Sequence, residues 1–323
     1  MSTRAEFIKG HGTENDFILL PDPDGTVGQY LGGQTVRRLT DRYSGIGGDG
    51  LIRIVRTVDV PEAEDQADAA EWFMDYRNAD GTVAEMCGNG VRVMAKYLFE
   101  HGFADGSSLT LATRGGARIV HAEPDGQYTV EMGTAREMTG AGAPELDSGH
   151  RWPEVTVGMN DRSWPATAVA VPNPHAVVFL DHLDGVNRTG SGEDADRADV
   201  PDPAAPGLPV TEIGALADLG MLTTVPTLSP EPVFPDGANV EFVVDRAERH
   251  IALRVWERGV GETRSCGTGV CAAAWAAMRR DGATGAAYTV DVPGGRLRVT
   301  ERADGELLLT GPAELGARGS IVL

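Results

Sequence analysis

The 323-residue chain is poor in cysteine, with only Cys87, Cys266 and Cys271. Their spacing does not match that of metal ligands. An odd and sparse set of cysteines argues against a disulfide scaffold, because small secreted domains that rely on disulfides contain many of them. The scarcity of cysteine therefore favours a reduced, cytoplasmic compartment.

Basic residues and long apolar runs are also scarce. The chain has 28 Lys and Arg residues against 48 Asp and Glu, a net charge of −20. Such an acidic balance argues against a nucleic-acid-binding surface. No apolar run approaches the roughly 18 residues that indicate a membrane span, and residues 1–7 lack the apolar segment of a signal peptide. We expect a cytoplasmic protein that binds neither nucleic acid nor a membrane.

One short segment of the sequence occurs twice, each time as a cysteine, then Gly-x-Gly, then an apolar run. The two copies are Ala84-Glu85-Met86-Cys87-Gly88-Asn89-Gly90-Val91 and Thr263-Arg264-Ser265-Cys266-Gly267-Thr268-Gly269-Val270. In both halves a Gly-Gly pair begins 28 residues after the cysteine, and an Asp-Gly pair lies 38 residues after it. Asn78 and Glu257 precede their cysteines by 9 residues. Markers that share one register indicate an internal duplication.

The duplication predicts two similar domains, a number that also suits the length of the chain. The first comprises residues 1–134 with a C-terminal strand from residues 312–323, and it contains Cys87. The second comprises residues 135–311 and contains Cys266. The apolar tail, residues 321–323, is interpreted as a strand that returns to the first domain.

Cys87 and Cys266 are each predicted to lie at the N-terminus of a helix. The uncharged run from Val270 to Met278 is apolar on every side and indicates a buried helix. Unpaired N–H groups at a helix start bind anions such as carboxylates, and the same positive end lowers a thiol pKa. Cys271 lies one turn further along among alanines, so it is interpreted as a small buried side chain.

Other segments contain no convincing catalytic motif. A short helix is expected at residues 34–43, and the Gly-rich loop at residues 45–50 lacks a phosphate-binding fingerprint. Residues 59–71 are acidic and are predicted to form a solvated loop. Residues 184–209, rich in Asp, Gly and Pro, are predicted to be a flexible surface insertion.

Two like domains that each present a cysteine suggest a reaction at one carbon atom. If the domains face each other, one thiolate removes an α-proton and the other thiol donates a proton to the opposite face. The carboxylate of the ligand would then accept hydrogen bonds from the N–H groups at the helix ends. The sequence shows no convincing signature for pyridoxal phosphate or a metal, so we expect no cofactor.

Several stretches together resemble the diaminopimelate epimerase family over nearly the whole chain. The matching stretches are Lys9-Gly10-His11-Gly12-Thr13-Glu14-Asn15-Asp16-Phe17, Asn78-Ala79-Asp80-Gly81, Met86-Cys87-Gly88-Asn89-Gly90, Asn173-Pro174-His175, Gly237-Ala238-Asn239-Val240, Glu257-Arg258 and Cys266-Gly267-Thr268-Gly269. Each stretch alone is weak, but their combination in this order is specific.

The resemblance implies a cofactor-independent isomerase that converts LL- to meso-2,6-diaminopimelate, in lysine and peptidoglycan-precursor synthesis. It implies a homodimer and an α+β fold of two pseudo-symmetric domains, each a mostly antiparallel sheet or barrel wrapped around a central helix. Cys87 and Cys266 would be the acid–base pair, and His175 and Glu257 would tune the thiol pKa values. The implied substrate contacts are Asn15, Asn78, Gly88, Asn89, Asn173, Asn239, Glu257, Arg258, Gly267 and Thr268.

One position departs from the family pattern. Some family members have Gln after Gly-x-Asp in the early loop, whereas this chain has Gly50 there. No substrate contact is therefore assigned to that position.

Three other functions remain open at this stage. A proline-racemase type of enzyme would share the two cysteines, but the Asn residues and Glu257-Arg258 favour a substrate with a second charged amino-acid end. A hydrolase or transferase with a cysteine nucleophile would leave the second cysteine unexplained. A non-catalytic protein would use the helix ends only to bind a carboxylate.

Overall fold

The computed structural model describes residues 3–138, 154–180 and 209–323. Within these ranges, no helix is long and apolar enough to cross a membrane. The chain divides into two compact units. Unit 1 consists of Met1–Glu131 and Leu309–Leu323, and unit 2 of Met132–Leu308. These boundaries lie close to those expected from the sequence. The insertion expected at residues 184–209 lies almost wholly outside the described residues.

Strands dominate the described structure. They are β1 (Arg4–Gly12), β2 (Asn15–Asp22), β3 (Gly50–Arg56), β4 (Trp72–Asn78), β5 (Ser108–Ala112), β6 (Arg118–Ala122), β7 (Tyr128–Thr134), β8 (Arg136–Glu137), β9 (Val155–Met159), β10 (Arg162–Val171), β11 (Asn173–Phe179), β12 (Thr227–Ser229), β13 (Asn239–Ala247), β14 (His250–Glu257), β15 (Gly261–Thr263), β16 (Ala287–Val292), β17 (Gly295–Glu301), β18 (Glu306–Gly311) and β19 (Glu314–Val322). The α-helices are α1 (Gly33–Thr40), α2 (Gly88–Glu100), α3 (Gly214–Ala217) and α4 (Gly267–Arg280).

The strands of unit 1 pair in the order β19–β1–β2–β3–β4–β5–β6–β7. The pairs β2–β3 and β4–β5 are parallel, and the others are antiparallel. The pairing of β19 with β1 confirms the prediction that the C-terminal tail returns to the first domain.

Unit 2 repeats this topology. Its strands pair in the order β10–β11–β13–β14–β16–β17, with β11–β13 and β14–β16 parallel and the other pairs antiparallel. The alternation matches that of β1 to β6, and α2 and α4 occupy the same place in it, after the fourth strand. Unit 2 has four additional strands: β8 and β9 pair with β10, β12 pairs with β9, and β15 pairs with β14. The sequence repeat is therefore also a repeat of strand topology.

Each unit is built around one helix. Helix α2 packs against β1, β2, β3, β6 and β19, and α4 packs against β10, β11, β13, β14, β16 and β17. Every residue from Val270 to Met278 is buried, as predicted for an uncharged helix. The expected α+β fold, with sheets that surround a central helix, is confirmed.

The turn between β1 and β2 has a special backbone conformation, and the prediction for residues 59–71 was inaccurate. The turn between β1 and β2 lies at Thr13 and Glu14, which both have positive φ, as a two-residue hairpin turn requires. Gly10 lies within β1. A glycine is needed at this position because a Cβ there would lie 2.7 Å from Val93 Cγ1 of α2. Residues 59–71 are not simply a solvated loop: their acidic side chains are exposed, but apolar residues such as Ala63 pack into the core with Phe73.

Candidate active site

Cys87 is the N-cap residue of α2, in extended backbone conformation, and its carbonyl oxygen accepts the first helical hydrogen bond from Val91. Its thiol is half-buried, and Sγ lies 3.5 Å from Asn15 Oδ1. Gly90 has a packing reason, since a Cβ there would lie 2.9 Å from Ile52 Cδ1. The predicted helix-start position of Cys87 is therefore present.

Asn15 connects two other predicted site residues of unit 1. Its Oδ1 accepts a hydrogen bond from Asn89 Nδ2 at 3.2 Å and lies beside the Cys87 thiol. Its Nδ2 donates to Asp49 Oδ2 at 2.7 Å. The hairpin turn before β2 and the helix start thus bring Asn15, Cys87 and Asn89 together.

A set of charged side chains supports this arrangement from the outer side. Arg42 donates to Asp16 at 2.7 and 3.0 Å and to Asp49 at 2.7 Å, and Lys9 also binds Asp16. Burial by itself would raise the pKa of Asp16, but the hydrogen bonds from Arg42 and Lys9 hold that pKa well below its usual range. Asp16 is therefore ionised at neutral pH, and it keeps Arg42 in place.

Asn78 lies at the end of β4, opposite Gly50 in the sheet. Its Nδ2 donates to Thr82 Oγ1 at 3.0 Å. Gly50 has a clear structural reason, because a Cβ there would lie 2.6 Å from the Tyr76 ring and 2.7 Å from the Arg77 carbonyl oxygen. The departure from the family pattern at Gly50 therefore makes room for Tyr76.

Cys266 is the buried N-cap residue of α4, as predicted. Thr268 Oγ1 lies 3.5 Å from its sulfur, and Asn239 Nδ2 lies 3.8 Å from it. The Asn239 amide is fixed at its other end, where Oδ1 accepts the backbone N–H of Arg258 at 2.9 Å. Unit 2 thus brings Cys266, Thr268, Asn239 and Arg258 together.

The pKa of Cys266 differs from the expectation. Burial raises it well above its ordinary value, and the charges of Glu257 and Glu241 raise it further. Hydrogen bonds from the Thr268 hydroxyl and the Gly269 N–H act in the opposite direction but do not prevail. The prediction that the helix start lowers this pKa is wrong, because desolvation and nearby carboxylates outweigh the helix end.

His175 is fully buried and belongs to a polar chain in unit 2. Its Nδ1 lies 2.7 Å from Glu241 Oε1, and its Nε2 lies 3.1 Å from Asn173 Oδ1. Glu241 is also fully buried, and its Oε2 has no hydrogen-bond partner among the described residues. Because Glu241 also contributes to the pKa of Cys266, this chain links Asn173 to the surroundings of the thiol.

The register of the strands identifies the counterparts of this polar pair in unit 1. Phe17 is paired with Gly50 in the parallel pair β2–β3, and His175 is paired with Asn239 in the parallel pair β11–β13. Two residues further along β3 and β13 stand Ile52 and Glu241. His175 and Glu241 therefore occupy the places that Phe17 and Ile52 fill in unit 1.

Glu257 and Arg258 follow one another at the end of β14. Glu257 Oε1 accepts a hydrogen bond from the Thr263 hydroxyl. Arg258 is exposed, and its Nη1 donates to the Asp236 carbonyl oxygen at 2.9 Å. Gly88 and Gly267 are the first residues of α2 and α4, so their N–H groups belong to the helix starts.

Sequence analysis did not single out Asp49, Arg92 or Glu241. Arg92 lies inside α2, fully buried, and its Nη2 donates to Asn89 Oδ1 at 2.9 Å. For Arg92 and Glu241 the available signal was a charged residue within an apolar helix or strand pattern, which requires a buried partner. Cys271 is fully buried within α4, as expected.

The comparisons with known proteins agree with one another. The sequence profile of the family described as "Diaminopimelate epimerase" matches residues 7–138 and 211–316. The diaminopimelate epimerase of Streptomyces coelicolor is 48% identical over 99% of this chain and 96% of its own length. That of Thermobifida fusca is 42% identical over 98% of both chains, and that of Corynebacterium glutamicum is 38% identical over 99% of both.

Solved structures share the fold at low sequence identity. A hydroxyproline epimerase from Agrobacterium vitis has a TM-score of 0.61 and 13% identity, and covers 99% of this chain and 93% of its own. A probable proline racemase from Agrobacterium radiobacter has a TM-score of 0.59 and 15% identity, with the same coverage. At such identities the likeness concerns the fold alone.

Proposed function

Because this chain belongs to the diaminopimelate epimerase family of isomerases, we propose that it converts LL- to meso-2,6-diaminopimelate. The reaction uses Cys87 and Cys266 as the acid–base pair and needs no cofactor. The observation that carries this proposal is the repeated topology, in which each unit has one cysteine as the N-cap of its central helix. The place of the reaction is lysine and peptidoglycan-precursor synthesis in the cytoplasm, and the enzyme is a homodimer.

The proposed reaction is a proton exchange at the α-carbon. One cysteine, as thiolate, takes the α-proton and becomes a thiol, and the electron pair moves toward the substrate carboxylate. The other cysteine, as thiol, gives its proton to the opposite face of the carbon and becomes a thiolate. Acid–base catalysis of this kind contributes about 10²- to 10⁴-fold. The N–H groups at the helix starts stabilise the charge that develops on the carboxylate.

The remaining predicted residues bind the substrate. Gly88, Asn89, Gly267 and Thr268 provide donors at the helix starts. Asn15, Asn78, Asn173 and Asn239 bind the polar groups of the amino-acid ends. Arg258 suits a bidentate contact with the carboxylate that does not react, and Glu257 suits an ammonium group. His175 and Glu257 tune the thiol pKa values.

Deuterium uptake tests this proposal directly. The protein is incubated with LL-diaminopimelate in heavy water, and α-deuteration and formation of the meso isomer are measured by mass spectrometry and chiral chromatography. We expect both, with no exchange of proline as the control substrate. Cys87→Ser and Cys266→Ser should each lower the rate by about 10²-fold or more, while the matched Cys271→Ser variant keeps most of it. No exchange in the unmodified protein, or equal loss in all three variants, would contradict the proposal.

A further inference from the structure

A chain of hydrogen bonds in unit 1 runs in one direction toward Asp49. Arg92 Nη2 donates to Asn89 Oδ1 at 2.9 Å, and Asn89 Nδ2 donates to Asn15 Oδ1 at 3.2 Å. Asn15 Nδ2 then donates to Asp49 Oδ2 at 2.7 Å. Arg92 and Asn89 are fully buried, and Asn15 is nearly so.

The two ends of the chain determine the orientation of both amides. A guanidinium group only donates hydrogen bonds, and an ionised carboxylate only accepts them. The amide oxygen of Asn89 must therefore face Arg92, and the NH₂ group of Asn15 must face Asp49. Consequently the oxygen of Asn15, rather than its NH₂ group, lies 3.5 Å from Cys87 Sγ. An acceptor at this place favours the thiol form of Cys87 over the thiolate.

Neighbouring charges hold Asp49 at its end of the chain. Asp49 accepts from Arg42 Nη2 at 2.7 Å and from the Asp16 backbone N–H at 3.2 Å. Arg42 is itself fixed by two bonds to the Asp16 carboxylate, which also binds Lys9 of β1. With Arg92 from α2, these are the charged groups that face the chain from the surrounding elements.

In unit 2, the sulfur of Cys266 lies beside hydrogen-bond donors rather than beside an acceptor. The residues in place of Arg92 and Asn89 are Cys271 and Thr268, five and two positions after the cysteine. The donors beside Cys266 Sγ are the Thr268 hydroxyl, at 3.5 Å, and the NH₂ group of Asn239, at 3.8 Å. Since both units fold around a helix of the same kind, the fold itself does not require the arginine or this amide orientation.

We propose that Asp49 is a positioning residue, which turns the Asn15 amide so that its oxygen accepts a hydrogen bond from the Cys87 thiol. The protonated form of Cys87 is thereby favoured in the free protein. The catalytic use of this proton rests on the proposed function, but the state of the thiol in the free protein does not.

The variant Asp49→Asn tests this role. The new amide has a single oxygen for three donors, which are Arg42, the Asn15 NH₂ group and the Asp16 N–H. The NH₂ group of Asn15 thus loses its charged acceptor, and only Asn89 still holds the Asn15 oxygen beside Cys87. Asp125→Asn is the matched control, because it removes one carboxylate from the exposed turn between β6 and β7 of the same unit.

The measurement is the pH dependence of iodoacetamide alkylation of Cys87, followed by mass spectrometry of its peptide in the folded protein without substrate. We expect Asp49→Asn to lower the midpoint by up to about one pH unit, the size that one hydrogen bond supports. Asp125→Asn leaves the midpoint unchanged.

A double-variant comparison separates positioning from charge. If Asp49 acts through Asn15, then Asp49→Asn has no further effect in an Asn15→Leu background. An equal shift in both backgrounds would show a direct effect of charge and overturn the proposal, as would an unchanged midpoint in Asp49→Asn. If that variant does not fold, Asp49→Ser, which also removes the carboxylate, replaces it in both backgrounds. Because this readout needs no turnover, failure of the proposed epimerisation would remain distinguishable.

Discussion

At the residue scale, the two cysteines share a helix position but have different surroundings. Cys87 lies beside an amide oxygen, whereas Cys266 is buried near Glu241 and Glu257. For Cys266 the cost of burying a charge exceeds the benefit of the helix end, so its pKa is raised. A raised pKa also makes the thiolate a stronger base once it has formed.

The pH dependence of Cys266 follows from this balance. Its thiolate fraction is small at neutral pH and grows as the pH rises, so alkylation of Cys266 should accelerate at alkaline pH. Glu257→Gln removes a negative charge that raises the pKa, and it should shift the alkylation midpoint of Cys266 to lower pH. The same peptide-resolved alkylation assay measures the shift, with the Cys87 peptide as the internal control. A midpoint that stayed in place or rose would show that Glu257 does not act on this thiol.

At the element scale, equivalent strand pairs contain different side chains at matched positions. In β2 and β3 these positions hold Phe17 and Ile52, which are fully buried and apolar. In β11 and β13 they hold His175 and Glu241, which are equally buried but polar. The sheet therefore accepts either kind of pair, and we propose that the polar pair in unit 2 serves the site rather than the packing.

Transfer of the unit 1 pair into unit 2 tests this interpretation. The double variant His175→Phe with Glu241→Ile should fold with a thermal midpoint near that of the unmodified chain, but lose epimerisation by about 10²-fold. The single variant His175→Phe leaves a buried carboxylate without its partner and should be destabilised by about 3 kcal/mol or more. Calorimetry and the deuterium assay measure the two effects. A double variant that kept full activity would assign the pair a purely structural role.

At the scale of the whole molecule, the chain repeats one topology and then completes unit 1 with its own C-terminus. Strand β19 pairs with β1 from Arg4–Val322 to His11–Glu314. Ile321 and Leu323 also pack against the apolar cluster that contains Leu20. Unit 1 is therefore complete only when the end of the chain is present.

Removal of residues 316–323 should destabilise unit 1. The deletion exposes an edge of β1 and uncovers apolar side chains, so we expect a lower unfolding midpoint and a greater tendency to aggregate. Val322→Ser, a change at an exposed position of the same strand, should alter stability by no more than about 0.5 kcal/mol. Thermal unfolding followed by calorimetry compares the three proteins. An unchanged midpoint after the deletion would show that β19 is dispensable.

Much of the candidate site was predictable because its signals are local. A cysteine followed by Gly-x-Gly and an apolar run predicts a helix start, and both α2 and α4 begin where this pattern predicts. The reason for Gly10 and Gly12 was not predictable, because in a sequence glycines of this kind resemble turn residues. Their actual reason is close approach to α2, which depends on contacts with Val93 and Arg92 that are distant in sequence.

The sequence by itself determined the duplication, the buried central helices and the position of each cysteine at a helix start, because these depend on short-range spacing and apolar periodicity. Only the tertiary structure decided which groups surround each sulfur. Asp49 and Arg92 reach Asn15 and Asn89 through the fold of unit 1, and Glu241 approaches Cys266 through the register of β13. Burial and hydrogen-bond polarity arise from contacts between distant segments, and they set the protonation of a thiol more strongly than its own helix does.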